Sequence, residues 1–433
     1  MMALSAATAA TAQTEQRDQQ EERQLTVDEL FQLVETGSKT LQVRKTNVDF
    51  ADKGIEAAQA GRLPDIGAQL QLSYNGNVLV SDRDFSDMHG YSAPHLGTGF
   101  SLEARQVVYA GGAVSAAVEM ARLGKEQATT AVELTRQQQR FMALGLYLDL
   151  MKLDHRSSVY EDNIRLTERL VDDIKARQEQ GMALQNDVTR YELQLESLRL
   201  QLRKVADQRD ILNHELQNTL DISGRIVPTE RIDIGSATTD RGQQEWIEQT
   251  VGASPMMEQS RLATRMTRQE LRMAKSELKP KVSLFAADLL NGPYIYDLPP
   301  KDINVNNWMA GVGISYSLSS LFKQNKRVKQ AQLACRRSEE ELAVTMETLN
   351  NQMQAAYTLY QQSMVELQTQ MKSVELARQN YNVVNERYAA QLALVTDMLD
   401  ASNMKLQAEL AEADARIGIV YAYNKLKYIA GDL

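Results

Sequence analysis

The stretch TDMLDA, at Thr396–Ala401, lies between two long helical patterns and has a counterpart earlier in the chain. The segment QGMALQNDV at Gln180–Val188 aligns without gaps with AQLALVTDM at Ala390–Met398, at an offset of 210 residues. The same offset pairs Tyr147 with Tyr357. Because one offset holds over about seventy residues, neither copy contains an insertion, and the two segments form an internal repeat.

Each copy contains a long helical run, a short break and a second helical run. The apolar residues after the first break alternate in spacings of four and three, which is the heptad pattern of coiled-coil packing. They are Leu184, Val188, Tyr191, Leu195, Leu198, Leu202 and Val205. The second copy keeps this pattern at Leu406, Leu410, Ala413, Ile417 and Val420. The sequence therefore predicts a mainly α fold of long antiparallel helix pairs, with tips near residues 181 and 391.

The composition of the 433-residue chain excludes several classes of function. The formal net charge of −9 argues against nucleic-acid binding, which needs a basic face. A single cysteine, Cys335, allows no disulfide within the chain, and the four histidines have no metal-ligand spacing. No phosphate-binding loop, zinc-protease motif or paired nucleophile and base is present. The sequence predicts no enzyme, no cofactor and no bound metal.

The chain divides into five segments. Residues 1–12 end in an Ala-x-Ala pattern and are interpreted as the remnant of a secretory signal peptide, with a disordered tail as the alternative. Residues 13–24 are polar and predicted to be disordered. The first repeat covers 25–220, a linker covers 221–242, and the second repeat covers 243–433. No run of eighteen apolar residues is present, so no transmembrane helix is predicted.

Each repeat also contains two short segments that alternate apolar and polar residues, which predicts β-hairpins at 66–106 and 281–319. The polar alternate residues must face water or a lumen. The apolar alternate residues are predicted to face lipid: Leu70, Leu72, Tyr74, Phe100, Leu102, Val312, Ile314, Tyr316 and Leu318.

Four strands of this length suit a tilted membrane crossing, but they cannot close a barrel. Open sheet edges cannot face lipid, so a membrane-spanning sheet requires several chains. Three chains with four strands each supply twelve strands, within the range of outer-membrane barrels. The alternative is a soluble sandwich with one face in water.

This layout resembles the TolC family of outer-membrane efflux proteins. The resemblance covers nearly the whole mature chain. It is carried by the repeated order of helix, hairpin and long helix pair, and by these residues: Leu63-Pro64, Lys279-Pro280, Gly97–Ser101, Gly311–Ser315, Leu321-Phe322 and Asp397–Ala401.

The resemblance implies a homotrimer in which one twelve-stranded transmembrane β-barrel continues into an α-barrel tunnel across the periplasm. Such proteins are passive exit ducts for drug efflux or type I secretion. They are engaged by a periplasmic adaptor (membrane fusion) protein and an inner-membrane pump of the RND or ABC type. The competing hypothesis is a soluble periplasmic coiled-coil scaffold or adaptor without a pore.

The resemblance also assigns a pore constriction at the periplasmic entrance. Asp397 and Asp400 match two family aspartates, and three copies of each would form a ring that favours cations. The alternative for Asp397 is a helix cap, and Asp187, at the equivalent break of the first repeat, is predicted to be only a cap. Tyr388 matches a family tyrosine that latches the closed entrance, with a packed helix aromatic as the alternative. Ala393 and Gln391 stand where the family member compared has arginine and glycine.

The two tips are predicted to dock the adaptor, because the resemblance places the docking grooves there and their residues are small or apolar. The tip residues are Gly181, Met182, Ala183, Leu184, Gln391, Leu392, Ala393 and Leu394.

Overall fold

A computed structural model describes residues 22–229 and 241–433. The predicted signal peptide at 1–12, residues 13–21 and residues 230–240 of the predicted linker lie outside these ranges. The prediction of disorder is wrong for residues 22–24, because Glu22–Leu25 forms strand β1, which pairs in parallel with β6, Arg225–Pro228. Leu25 is buried in a core, and its carbonyl accepts a hydrogen bond of 2.9 Å from the Tyr147 hydroxyl.

The two repeats have the predicted order of elements. The first contains α1 Val27–Gly37, α2 Lys39–Ala60, β2 Asp65–Tyr74, β3 Val78–Val80, β4 His89–Tyr91, β5 Leu96–Ala110, α3 Ala113–Glu179 and α4 Gln185–Leu220. After β6, the second contains α5 Gln243–Ala253, α6 Pro255–Ser276, β7 Lys281–Gly292, β8 Val305–Ser315, α7 Ser320–Ala389 and α8 Val395–Ala430. Helices α3 and α7, with 67 and 70 residues, are each about 100 Å long.

The short helices at the start of each repeat follow local capping signals. Thr26 and Glu29 form a capping box at the start of α1. Helix α1 ends at Gly37, as expected from the glycine. The corresponding helix of the second repeat is also interrupted, at Ser254. The following Pro255 occupies the first position of α6, where its missing N–H costs no hydrogen bond.

The chain forms two compact units. One contains the described residues of Met1–Lys45, Thr130–Glu258 and Val344–Leu433, and the other contains Thr46–Thr129 and Gln259–Ala343. The first unit holds the buried hydrophobic clusters around Tyr147 and Trp246, and a third cluster near the ends of the long helices. Each cluster fills the space between helices whose apolar positions recur with helical period.

The second unit holds a four-stranded antiparallel sheet of order β2-β5-β7-β8. The predicted hairpins therefore share one sheet, joined where β5 pairs with β7. Strand β5 extends to Ala110, with an irregularity in register between Val107 and Tyr109. A small hairpin, β3 with β4, was not predicted.

The register of the sheet tests which residues share a face, because directly paired residues in an antiparallel sheet project to the same side. Leu70 pairs with Phe100, which pairs in turn with Leu290. Following such pairs and the alternation along each strand puts seven of the nine predicted lipid-facing residues on one exposed face: Leu70, Leu72, Tyr74, Phe100, Leu102, Val312 and Ile314.

The other two predicted strand residues, Tyr316 and Leu318, lie outside the sheet, because β8 ends at Ser315. The backbone there turns towards α7 instead of continuing the ladder. The Ser320 N–H donates to the Ser317 carbonyl at 2.9 Å. The second hairpin therefore ends earlier than the predicted residue 319.

Among the described residues, no helix is long and apolar enough to cross a membrane.

Candidate functional site

The two reversals between long helices have the same backbone. We call Gln180–Leu184 the first tip and Ala390–Leu394 the second tip. The Met182 N–H donates to the Arg177 carbonyl at 2.8 Å, and the Leu392 N–H donates to the Arg387 carbonyl at 2.7 Å. Gly181 and Gln391 have positive φ angles of 76° and 62°. This pattern is a left-handed helix C-terminus closed by a six-to-one hydrogen bond.

An aspartate three residues after each tip caps the helix that follows. The Asp187 carboxylate accepts the Leu184 N–H at 3.2 Å, and the Asp397 carboxylate accepts the Leu394 N–H at 3.0 Å. A carboxylate in the first turn also interacts favourably with the positive end of the helix dipole. The capping interpretation of Asp397 and Asp187 is therefore confirmed, and the ring interpretation of Asp397 stays a prediction.

The guanidinium of Arg177 links the two helix pairs. It lies over the Tyr388 ring, with 4.9 Å between Cζ and the ring centroid, and it donates to the Tyr388 carbonyl at 3.4 Å. Its Nε also pairs with Asp173 at 3.0 Å. This cation–π contact holds the end of α3 against the end of α7.

Tyr388 is a packed aromatic. It belongs to a buried cluster with Tyr191, Val188 and Met398, and only 6% of its surface is exposed. The Tyr388 and Tyr191 hydroxyls face each other, and within the described residues no other group satisfies either of them. Burial is the main cause that raises the pKa of both phenols above the ordinary value. The predicted latch through the Tyr388 hydroxyl is not tested in a single chain and stays a prediction.

The predicted constriction residues do not share one surface. Tyr388 lines a cleft of about 450 Å³ between the two tips, together with Arg177, Asp187 and other residues. Asp397 and Asp400 instead line a groove of about 750 Å³ on the α7–α8 pair. Arg387 lines the same groove.

The tips expose large apolar side chains next to small ones. The exposed fractions are 54% for Met182, 71% for Leu184, 70% for Leu392 and 69% for Leu394. Ala183 and Ala393 instead pack against the tyrosine cluster. Gly181 and Gln391 supply the positive φ of each reversal. Four exposed apolar groups on two adjoining tips form a surface of the kind that binds another protein.

Sequence reasoning missed Arg177 and Tyr191 as members of the site. The sequence predicts Tyr191 only as one of the apolar residues of the heptad pattern. The signal that could have identified Tyr191 is the change of residue at repeat-equivalent positions, since Tyr191 corresponds to Ala401, whereas Arg177 and its equivalent Arg387 are the same residue and give no such signal. Among the described residues, no group of acidic, histidine or cysteine side chains could hold a metal ion.

Two long helix pairs with packed tips, and a four-stranded sheet with an exposed apolar face, are features that the resemblance to the outer-membrane channel-tunnel proteins of the TolC family implies. The family described as outer membrane efflux protein matches residues 30–220 and 246–432. The chain belongs to this family, which confirms the resemblance to TolC. It is an outer-membrane channel protein that extends into the periplasm, and not an enzyme.

Solved structures with the same fold have low sequence identity to this chain. The outer membrane protein VceC from Vibrio cholerae has 15% identity and a TM-score of 0.75, with 94% of this chain and 96% of that chain covered. The CmeC outer membrane channel from Campylobacter jejuni has 12% identity and a TM-score of 0.76, with 94% and 85% covered. The open-state MtrE channel from Neisseria gonorrhoeae has 13% identity and a TM-score of 0.74, with 94% and 88% covered. No individually curated protein is a significant sequence match.

Proposed function

We propose that this chain is one third of a homotrimeric channel-tunnel, the passive exit duct of a tripartite efflux or type I secretion system. Three four-stranded sheets join edge to edge into one barrel, and the long helix pairs continue it as a tunnel across the periplasm. A periplasmic adaptor docks at the tips, and an inner-membrane pump of the RND or ABC type supplies the substrate.

The observation that carries this proposal is the sheet. Its outer strands, β2 and β8, each have an edge without a pairing strand among the described residues. Its apolar face exposes Leu70, Tyr74 and Ile314 by 71%, 81% and 73%. In hydrocarbon, unpaired backbone groups are too costly to leave open, so only closure with other copies satisfies both the edges and the face.

The experiment that tests the trimer is a mass measurement on protein extracted from outer membranes in detergent. We expect a complex of three chains that forms discrete single channels in planar bilayers. A protein that stays monomeric and soluble without detergent would overturn the proposal and favour the scaffold hypothesis.

The carboxylate ring at the entrance has its own test. Asp400 lies exposed on the α7–α8 groove, and among the described residues it forms no capping bond. Asp400→Asn should therefore weaken the block of single-channel current by multivalent cations by several-fold without changing the tip backbone. Asp187→Ala is the matched control, because it removes the cap equivalent to that of Asp397 and should leave cation block unchanged. Equal block in Asp400→Asn and wild type would remove the ring assignment.

A further inference from the structure

The repeat predicts which residues of one copy meet which residues of the next. A three-fold ring of this chain contains six repeats, and each junction between neighbouring repeats joins equivalent faces. Three of the six junctions lie within single chains and are visible in the structure. The other three lie between copies and follow from adding or subtracting the 210-residue offset.

Two polar contacts mark the junction within a chain. The Gln194 amide nitrogen of α4 donates to the Asn403 side-chain oxygen of α8 at 2.8 Å. Arg156 of α3 donates from Nε to the Asp414 carboxylate of α8 at 3.1 Å, and a second guanidinium nitrogen also contacts that carboxylate. The first helix pair contributes Gln194 and Arg156, and the second pair contributes Asn403 and Asp414.

The equivalent positions at the free faces are complementary to each other. The equivalents of Gln194 and Asn403 are Met404 and Leu193, two large apolar side chains with exposed fractions of 59% and 66%. The equivalents of Arg156 and Asp414 are Glu366 and Lys204, which have opposite charges. Both are exposed, and neither forms an ion pair with residues that the structure describes.

A stripe along α4 extends this free face. Positions 200 and 211 correspond to Leu410 and Tyr421 of α8, and the Tyr421 ring contacts the Phe141 ring in a tilted arrangement, with 5.2 Å between the centroids, across the junction within the chain. At the free face these positions hold Leu200 and Ile211, with exposed fractions of 54% and 61%. A surface helix does not usually expose three aligned aliphatic residues, here 193, 200 and 211, unless a partner covers them.

We infer that the α4 face with Leu193, Leu200, Lys204 and Ile211 packs against the α7–α8 face with Glu366 and Met404 of a second copy. This interface deepens the proposed function and rests on its homotrimer. Leu193 meets Met404 of the next copy, and Lys204 pairs with Glu366 of the next copy. Each copy uses both faces, so the contact is heterologous and closes into a ring.

Thiol cross-linking tests this inference with a matched pair of variants. Both are made with Cys335→Ser, which removes the only cysteine of the chain. Leu193→Cys with Met404→Cys is treated in detergent with a short bifunctional methanethiosulfonate reagent. We expect most of the protein to run as covalent trimer on a denaturing, non-reducing gel. Gln194→Cys with Asn403→Cys, one position away on the same helices, should cross-link within the chain and run as monomer.

The outcomes separate the inference from the proposed function. If Leu193→Cys with Met404→Cys is a monomer by mass before the reagent is added, while wild type is a trimer, the Leu193–Met404 contact is essential, and the inference is supported. If wild type itself is monomeric, the proposed function fails. If the variant is an intact trimer and the reagent links Leu193→Cys to Met404→Cys only within chains or not at all, the inference is overturned.

A charge exchange provides an independent measurement. Lys204→Glu and Glu366→Lys should each lower the temperature at which trimers dissociate in detergent by a few degrees. The double variant should return it to within about one degree of wild type, because the pair is restored with reversed polarity. Circular dichroism at 222 nm controls for folding. Additive losses in the double variant would show that these side chains do not meet.

Discussion

The two tips of this protein have the same backbone but different surroundings. Both reversals use a left-handed residue and a six-to-one hydrogen bond, and both are followed by a capping aspartate. Yet Arg177, three residues before the first tip, contacts both Tyr388 and Asp173, whereas Arg387, at the equivalent position before the second tip, is exposed. The face around Arg177 is covered by the second helix pair of the same chain.

This difference teaches that local sequence sets the reversal, while the neighbouring helix pair sets the environment of its side chains. The first helix pair has its partner within the chain. The equivalent face of the second pair, with Arg387, Asp397 and Asp400, is left for another copy or another protein. Because the two tips share one backbone, each serves as the reference for a change that is made at the other.

The largest effect is expected for Tyr388→Ala, because the ring is buried and carries the Arg177 contact. Removing a buried aromatic ring costs roughly 3–5 kcal/mol. Amide hydrogen exchange should show faster opening of the helix ends at both tips. Tyr388→Phe keeps the ring and removes a hydroxyl whose one polar neighbour among the described residues is the Tyr191 hydroxyl, so it should change the opening free energy by about 1 kcal/mol or less.

A large loss in Tyr388→Phe would contradict the packing interpretation. It would show that the hydroxyl forms a hydrogen bond in the assembled protein, as the family latch requires.

Removing a cap should have a medium effect that is the same at the two tips. Asp187→Ala and Asp397→Ala each lose one capping bond, worth ~1 kcal/mol. Exchange of the Leu184 or Leu394 amide should become about five-fold faster in the corresponding variant only. A change in Asp397→Ala that spread to the first tip would break the comparison, since it would mean that the caps are coupled.

Exchanging the left-handed residues should shift the stability of the tips in opposite directions. Gln391 adopts φ 62°, where glycine has no steric penalty, so Gln391→Gly should stabilise the second tip by about 0.5–1 kcal/mol. Gly181→Gln should destabilise the first tip by a similar amount. Hydrogen exchange of the Met182 and Leu392 amides measures both. Loss of stability in Gln391→Gly would mean that the Gln391 side chain contributes more than its contact with the Met182 sulfur indicates.

The smallest effect at ordinary pH concerns the buried tyrosines. Their folded pKa values are raised by burial, so the unfolded state releases phenolic protons first. This contribution to stability is fully present below the unfolded pKa of about 10 and is lost as pH rises above it. The tip helices should therefore open at lower pH in wild type than in Tyr191→Phe with Tyr388→Phe. Circular dichroism and tyrosinate absorbance during an alkaline titration check this order, and coincident curves would contradict it.

Much of the fold could be predicted from sequence because its signals are local or periodic. The repeat offset, the helix ends at Leu63-Pro64 and Lys279-Pro280, and the alternation of Leu70 with its neighbours depend only on nearby residues. The predictions failed where strand pairing between residues far apart in the sequence decides the local structure. Residues 22–24 are polar, but their backbone pairs with Arg225–Pro228, about two hundred residues later.

In the candidate site, too, some residue roles follow from local sequence and others do not. The capping role of Asp187 and Asp397 follows from their positions after each break, and the sequence predicted it as an alternative. The role of Arg177 did not follow, because a stacking partner 211 residues away leaves no local signal. The separation of Tyr388 from Asp397 and Asp400 also required knowledge of which helix faces meet.

The sequence by itself determined the repeated architecture, the turns at both tips and the two faces of the sheet. These depend on backbone preferences and on the periods of helix and strand, which act over a few residues. Only the tertiary structure decided that the face around Arg177 in the first repeat is covered by the second repeat of the same chain, while the equivalent face of the second repeat stays exposed. Neighbouring helix pairs are chosen by packing between distant segments, so two repeats with the same backbone can have different neighbours.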